Sequence, residues 1–226
     1  MSKISVLMSV YKKENPEYLR ASLESILVQT RTADEILLIE DGPLTQELYQ
    51  VVAEYQKKCD YLHVHAMEQN VQLGRALAKG VELCQYDLIA RMDTDDIAMP
   101  DRLEKEEAYM EAHPEVDVVG GAIREFNDEG TIDRVKNMPK TQEEILEYVK
   151  VRNPLNHMTV MYRKDSILKA GNYKHFPFLE DYSLWSRMLS QGYQFRNMED
   201  ILVRARTSMG LVKRRSGWAY YKDFQK

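Results

Sequence analysis

Four short apolar runs in the first 95 residues each end on a polar or acidic turn, and an amphipathic stretch separates each from the next. Ile4-Ser5-Val6-Leu7-Met8-Ser9-Val10 gives way to Tyr11-Lys12-Lys13-Glu14, and Glu35-Ile36-Leu37-Leu38-Ile39 closes on Glu40-Asp41-Gly42-Pro43. A third run lies near 61–67, and a fourth at 87–92 leads directly into Asp93-Thr94-Asp95-Asp96. Between the first two, Pro16 suits a first helical turn, and Leu19, Leu23, Ile26 and Leu27 fall on one helical face. Similar patterns predict helices at 44–58 and 73–84. Strands alternating with helices imply right-handed βαβ units, a parallel sheet and an α/β fold. Such sheets bind ligands beyond the carboxyl ends of their strands, which puts Tyr11, Asp41, Asn70 and Asp93 to Asp96 on one rim.

After Pro100-Asp101-Arg102-Leu103 the pattern is less regular. It predicts a helix to about 112, strands near 116–126, 131–136 and 158–163, and helices near 141–150 and 179–191, hence a mixed sheet with an antiparallel element. The expected organisation is one catalytic domain over 1–205. Residues 1–100 form its nucleotide-binding half and 101–205 a smaller acceptor-side half, followed by a tail at 206–226.

At 226 residues with 44% hydrophobic types the chain can bury a sizeable core. Cys59 and Cys84 match no metal spacing and are read as reduced thiols. The start lacks a secretory pattern, and no run approaches the roughly 20 apolar residues of a spanning helix. A cytoplasmic protein is expected. The net charge is −5, yet residues 201–226 hold Arg204, Arg206, Lys213, Arg214, Arg215, Lys222 and Lys226 against Asp223 alone. The acidic remainder argues against nucleic-acid binding. The tail, with Trp218, Tyr220, Tyr221 and Phe224 interleaved, suits an anionic membrane surface, and so the inner face of the plasma membrane; a solvated tail is the plain alternative.

Three carboxylates in four residues at Asp93-Thr94-Asp95-Asp96 repel one another unless a cation relieves them. Mg²⁺ or Mn²⁺ takes one or two carboxylates together with substrate phosphates. The bland reading is an Asp-rich turn before a helix. Its place at the end of a fourth strand favours the metal. Glu180-Asp181 lies between Phe176-Pro177-Phe178-Leu179 and Tyr182-Ser183-Leu184-Trp185, a setting for a helix terminus or for a general base in a partly apolar pocket. Asn70 through Gly74 and Arg75 bring an Asn, a helix start and a guanidinium together, which suits a phosphate or ribose. Neither a P-loop nor a Gly-x-Gly-x-x-Gly fingerprint is present.

Taken together, Ser9-Val10-Tyr11, Glu40-Asp41-Gly42, Asn70 to Arg75, Asp93-Thr94-Asp95-Asp96 with Pro100-Asp101-Arg102-Leu103, and Glu180-Asp181 with Leu184-Trp185 resemble the inverting glycosyltransferases of family 2. The resemblance spans residues 3–205 and is nearest to the subgroup that builds bacterial surface polysaccharides. It implies the GT-A fold, a Rossmann-like, mainly parallel central sheet flanked by helices. It also implies hexosyl transfer from a nucleotide-sugar, a UDP-sugar above all, to a glycan or lipid-linked sugar acceptor. By resemblance, Val10 and Tyr11 contact the base or ribose, Asp41 meets the uracil ring, and Asn70, Gly74 and Arg75 complete the donor site. Asp93 meets ribose or metal, Asp95 is the principal metal ligand, and Asp181 is the general base. His157, Glu180 and Trp185 fall on the acceptor side. The alternatives are a sugar-phosphate nucleotidyltransferase, which would need a glycine-rich basic loop after the first strand, and a catalytically silent nucleotide- or carbohydrate-binding module.

Overall fold

A computed structural model describes residues 2–207. The basic aromatic tail expected at 206–226, and its expected contact with a membrane, therefore lie outside the described residues except for Arg206 and Thr207. The first half runs β1 (Ile4–Val10), α1 (Pro16–Leu27), β2 (Glu35–Glu40), α2 (Gln46–Lys58), β3 (Leu62–Ala66), α3 (Leu73–Leu83) and β4 (Leu88–Asp93), as the sequence pattern predicts. The second half runs β5 (Ile97–Ala98), α4 (Arg102–Ala112), β6 (Val118–Phe126), β7 (Asp133–Lys136) and α5 (Gln142–Tyr148). A 3-10 turn at His157–Thr159 then leads to β8 (Met161–Arg163), α6 (Lys164–Lys169), α7 (Glu180–Ser190) and β9 (Phe195–Arg206). Sequence patterning did not anticipate β5, α6 or β9.

Helix starts follow local chemistry. The Asn15 side chain accepts from the Glu17 amide ahead of Pro16, and the Thr45 side chain accepts from the Leu48 amide. Thr141 and Glu144 form a reciprocal capping box at α5.

The strands form one sheet in the order β3-β2-β1-β4-β8-β6-β9-β5, with β7 on β6. Strands β1 to β4 are mutually parallel, β8 runs antiparallel to both β4 and β6, and β6 is parallel to β9. The second half thus continues the sheet of the first through β8. The chain builds outward from β1 to β3 and then crosses back to β4 on the other side of β1. That reversal places the topological switch point at the ends of β1 and β4.

Each face of the sheet carries its own core. Ile4, Val6, Met8 and Val10 point toward the layer of α1, α2 and α4, while Leu7 points toward α3 and α7. Gly80 lets α3 approach β1 closely, since a Cβ there would lie 2.3 Å from the Leu7 Cδ1. Among the described residues no helix is long and apolar enough to cross a membrane.

Beneath β4 lies a fully buried ion pair, Arg102 Nε to Glu106 Oε2 at 3.1 Å, with Arg102 Nη2 donating to the Arg91 carbonyl at 2.8 Å. Removing one partner leaves a buried charge uncompensated. Arg102→Ala is expected to cost about 3–5 kcal/mol in urea unfolding, and Arg102→Met with Glu106→Leu to recover most of it. Equal losses in the single and double variants would contradict this.

Candidate active site

The carboxyl ends of β1 to β4 share one edge. In register, Asp93 on β4 stands beside Ser9 on β1. The turn after Asp93 is fixed from the β1 side: Thr94 Oγ1 donates to Glu14 Oε2 at 2.6 Å, and Ser22 Oγ donates to the Asp93 carbonyl at 2.8 Å. From the far end of the sheet, the Arg206 amide donates to Asp96 Oδ1 at 2.6 Å and its Nε to the Asp95 carbonyl at 3.1 Å.

One carboxylate oxygen from each of Asp93, Asp95 and Asp96 lies within 4.8 Å of the others. Burial, followed by the charges of Asp93 and Glu14, pushes Asp95 up to about 7. Burial, followed by the charges of Asp93 and Asp95, pushes Asp96 well above the carboxylate range. Three hard oxygen donors whose mutual repulsion is uncompensated fit a divalent cation such as Mg²⁺ or Mn²⁺. Asp93 is the exception, since it is already paired with a buried cation. Arg91, two residues earlier on β4, is 2% exposed and grips both Asp93 oxygens through Nη1 and Nη2 at 2.5 Å. Burial works against the guanidinium charge, but Asp93 more than restores it, so the Arg91 pKa stays above its ordinary value. Sequence analysis gave Arg91 no role. Its signal was a charged residue on the same strand face as Ile89 and Asp93.

The donor-side residues divide between contact and scaffold. Asp41 is buried, with Oδ1 accepting the Val71 amide at 2.6 Å and Oδ2 the Asn70 side-chain amide at 2.9 Å. Burial raises its pKa, while the backbone amides of Val71 and Gln72 oppose the rise. Gly42 adopts φ +83°, and a Cβ there would lie 2.4 Å from the Asn70 nitrogen, so glycine is required where the second and third loops meet. Tyr11 is exposed at the rim. Val10 is not: its side chain belongs to the core and its carbonyl accepts the Asp41 amide at 2.8 Å. Gly74, expected in the donor site, permits close packing, because a Cβ would lie 2.5 Å from the Lys174 carbonyl oxygen and 3.1 Å from the Glu180 Cβ. Arg75 is exposed in the first turn of α3.

Asp181 lies in the first turn of α7. Its Oδ2 accepts from Asn153 Nδ2 at 2.6 Å, its Oδ1 accepts from the Tyr182 amide at 2.7 Å, and His157 Nδ1 stands 3.9 Å from Oδ2. His157 shares a 2.9 Å hydrogen bond with the Tyr173 hydroxyl, and burial with the Arg91 charge holds its pKa well below the usual value. A neutral imidazole orients neighbours rather than supplying positive charge. Glu180 is buried and pushed up to about 7, first by burial and then by Asp181. Trp185, expected on the acceptor side, is fully buried and packs edge-on against Phe195, Tyr173 and His157. Its indole is a core side chain that backs His157. Asn153 and Tyr173 join the site without having been singled out.

Two concavities lie elsewhere. One of about 490 Å³ is lined by Phe126, Arg204 and Asp133, and one of about 670 Å³ borders α5. Neither includes Asp95 or Asp181.

The model of the family described as Glycosyl transferase family 2 matches residues 5–175. The amylovoran biosynthesis glycosyltransferase AmsE of Erwinia amylovora is 43% identical over 219 residues, covering 97% of this chain and 82% of that protein. The UDP-Gal:alpha-D-GlcNAc-diphosphoundecaprenol beta-1,3-galactosyltransferase of Escherichia coli is 35% identical over 224 residues, covering 96% and 79%. Among solved structures, S. aureus TarS 1–349 in complex with UDP-GlcNAc superposes with TM-score 0.73 at 18% identity, over 92% of this chain and 59% of that one. The mannosyltransferase PcManGT of Pyrobaculum calidifontis, in complex with GDP-Man and Mn²⁺, gives 0.71 at 12% identity, over 98% and 60%. This chain thus spans about 60% of the length of these two solved structures, and at such identities the likeness concerns the fold, which is GT-A.

Glu180 generates a prediction of its own. Its folded pKa near 7 exceeds the ordinary 4.5, so the folded protein holds this proton more tightly than the unfolded chain, and stability falls as pH rises between the two values. Glu180→Gln removes that titration. It is expected to flatten the dependence in this window and to raise stability near pH 8 by about 1–3 kcal/mol. Urea midpoints at about pH 5 and pH 8 check it, and a slope equal to that of the wild type would refute it.

Proposed function

The chain belongs to glycosyl transferase family 2, and we propose that it transfers a sugar from a UDP-sugar, with inversion, to a hydroxyl of a glycan or lipid-linked acceptor in surface-polysaccharide synthesis. The observation that carries this reading is one edge bearing both an acidic triplet at the switch point and Asp181 at a helix start, with Arg91 acting electrostatically on Asp93 and Asp181 alike. The AmsE and galactosyltransferase names support the polysaccharide setting and a lipid-linked acceptor.

In this reading Asp41 and Tyr11 receive the uridine, with Asn70 and Val71 holding the Asp41 carboxylate in place. Asp95, with Asp93 and Asp96 beside it, would hold a divalent cation, whose chemistry when bound is to neutralise charge on the departing diphosphate. Asp181 takes the proton of the acceptor hydroxyl as the oxygen attacks the anomeric carbon from the face opposite the leaving group. Its Oδ2 is aimed by Asn153. A positioned base contributes on the order of 10²–10⁴ in rate. Membership of a glycosyltransferase family weighs against nucleotidyl transfer, and the full set of carboxylates weighs against a silent binding module.

Asp181→Asn is expected to lower the rate of transfer by about 10²-fold or more while leaving UDP affinity nearly unchanged. Calorimetric titration of UDP with and without Mn²⁺ supplies the second arm: binding should require the metal and be lost in Asp95→Ala. Full transfer activity in the first variant, or metal-independent UDP binding in the second, would sink the respective assignment.

A further inference from the structure

Among the described residues the two most exposed large hydrophobic side chains are Phe178, at 71%, and Val151, at 66%. Both lie on segments stitched to the first turn of α7. Asn153 Nδ2 donates to Asp181 Oδ2, and the Tyr182 hydroxyl donates to the Val149 carbonyl at 2.5 Å, so the loop tip at Val151 is held from both sides. Phe178 lies three residues before Asp181, and Phe176 beside it is 41% exposed. The apolar tips therefore flank the residue proposed as the base, from two separate stretches of chain.

Phe178 has φ +67°, a left-handed conformation disfavoured for a bulky aromatic residue. The turn that imposes it is well anchored. The Leu179 amide donates to the Phe176 carbonyl at 2.9 Å, the Ser183 amide to the Leu179 carbonyl at 2.8 Å, and the Lys174 carbonyl packs against Gly74. The backbone is thus held in a strained form that leaves a phenyl ring in water, where it adds nothing to the core. Strain of this kind clusters at functional sites, where a residue is held for a contact it makes with a ligand or partner. Cationic residues stand around these tips: Lys150 and Arg152 flank Val151, and Lys174 lies two residues before Phe176, all exposed. Lys150 is paired with Glu147 of α5 at 2.6 Å, and Val151 borders the α5 concavity that Glu144 and Glu147 also line.

We infer that this rim, Val151 between Lys150 and Arg152 on one loop and Phe176 with Phe178 after Lys174 on the other, seats the protein on an anionic lipid surface. Isolated apolar tips between cationic side chains match the layered chemistry of a bilayer interface: rings reach the acyl boundary while ammonium and guanidinium groups stay among the phosphates. An acceptor anchored in that surface would then present its hydroxyl on the side where Asp181 stands. This last clause rests on the proposed role of Asp181; the surface itself does not.

The test is co-sedimentation of the full chain with vesicles of phosphatidylcholine containing phosphatidylglycerol, comparing wild type with Phe178→Gly and Val151→Ser. Glycine adopts φ +67° without strain, so Phe178→Gly removes the ring while easing the backbone. Residues 208–226 are common to all forms and cancel in the comparison. Each variant is expected to weaken partitioning about tenfold, with pure phosphatidylcholine vesicles binding less of every form and UDP affinity unchanged. Wild-type partitioning in both variants, no binding by the wild type, or a parallel loss of UDP affinity would overturn the inference. Vesicle binding that falls as expected in a protein that binds no UDP would leave this surface standing and remove the donor reading alone.

Discussion

A guanidinium in the interior is tolerated only where its charge is answered, and Arg91 is answered by both oxygens of Asp93. The pair sits at the end of β4, between the sheet and the layer of α3 and α7, where strand alternation would otherwise place an aliphatic side chain. Much of the site's organisation follows from it. Asp93 is held in one orientation, and the repulsion among the acidic triplet concentrates on Asp95 and Asp96. The same charge bears on Asp181, Tyr173 and His157 from the other half of the chain. One buried cation thus couples the donor edge to the first turn of α7, and β8, hydrogen-bonded to β4, supplies the rigid frame that keeps the two halves in register.

The donor half was legible because its physics is periodic. Buried parallel strands read as continuous β-branched and aliphatic runs, their helices as 3.6-residue stripes, and the loops between them fall on one edge by topology alone. The second half broke that legibility for identifiable reasons. The strand β9 carries Glu199 and Asp200 in its middle, and its pairing with β6 shifts register between Gly120 and Ile123, so neither a clean alternation nor an apolar run appears. The strand β5 is two residues long and exists only because β9 passes beside it.

Among site residues, the limits were those of burial and partners, which a sequence does not display. Trp185, next to a pair of carboxylates, was expected on the acceptor side, whereas in the fold it is a core residue with Phe195 and Tyr162 against it. Gly74 in Asn70 to Arg75 reads as a phosphate loop, and its structural necessity turns out to be the backbone of Lys174. Conversely, Phe176-Pro177-Phe178 reads as an apolar wall around Glu180-Asp181, yet its rings face water.

The carboxylates of the site are chemically alike, and their surroundings differentiate them. Asp41 is satisfied by two donors from the loop after β3, and Asp93 by a guanidinium, so both are fixed acceptors. Asp96 is tied to a backbone amide of the last strand. Asp95 is left with burial and like charges as its dominant neighbours, and in the proposed reading a divalent cation there would relieve them. Asp181 lies on a different element, oriented by an Asn side chain and beside a neutral His, away from that repulsion. In the proposed reading the cation-holding carboxylate and the proton-accepting one stand on different elements, so that each meets its own electrostatic requirement, which one cluster of like residues at a single strand end does not permit.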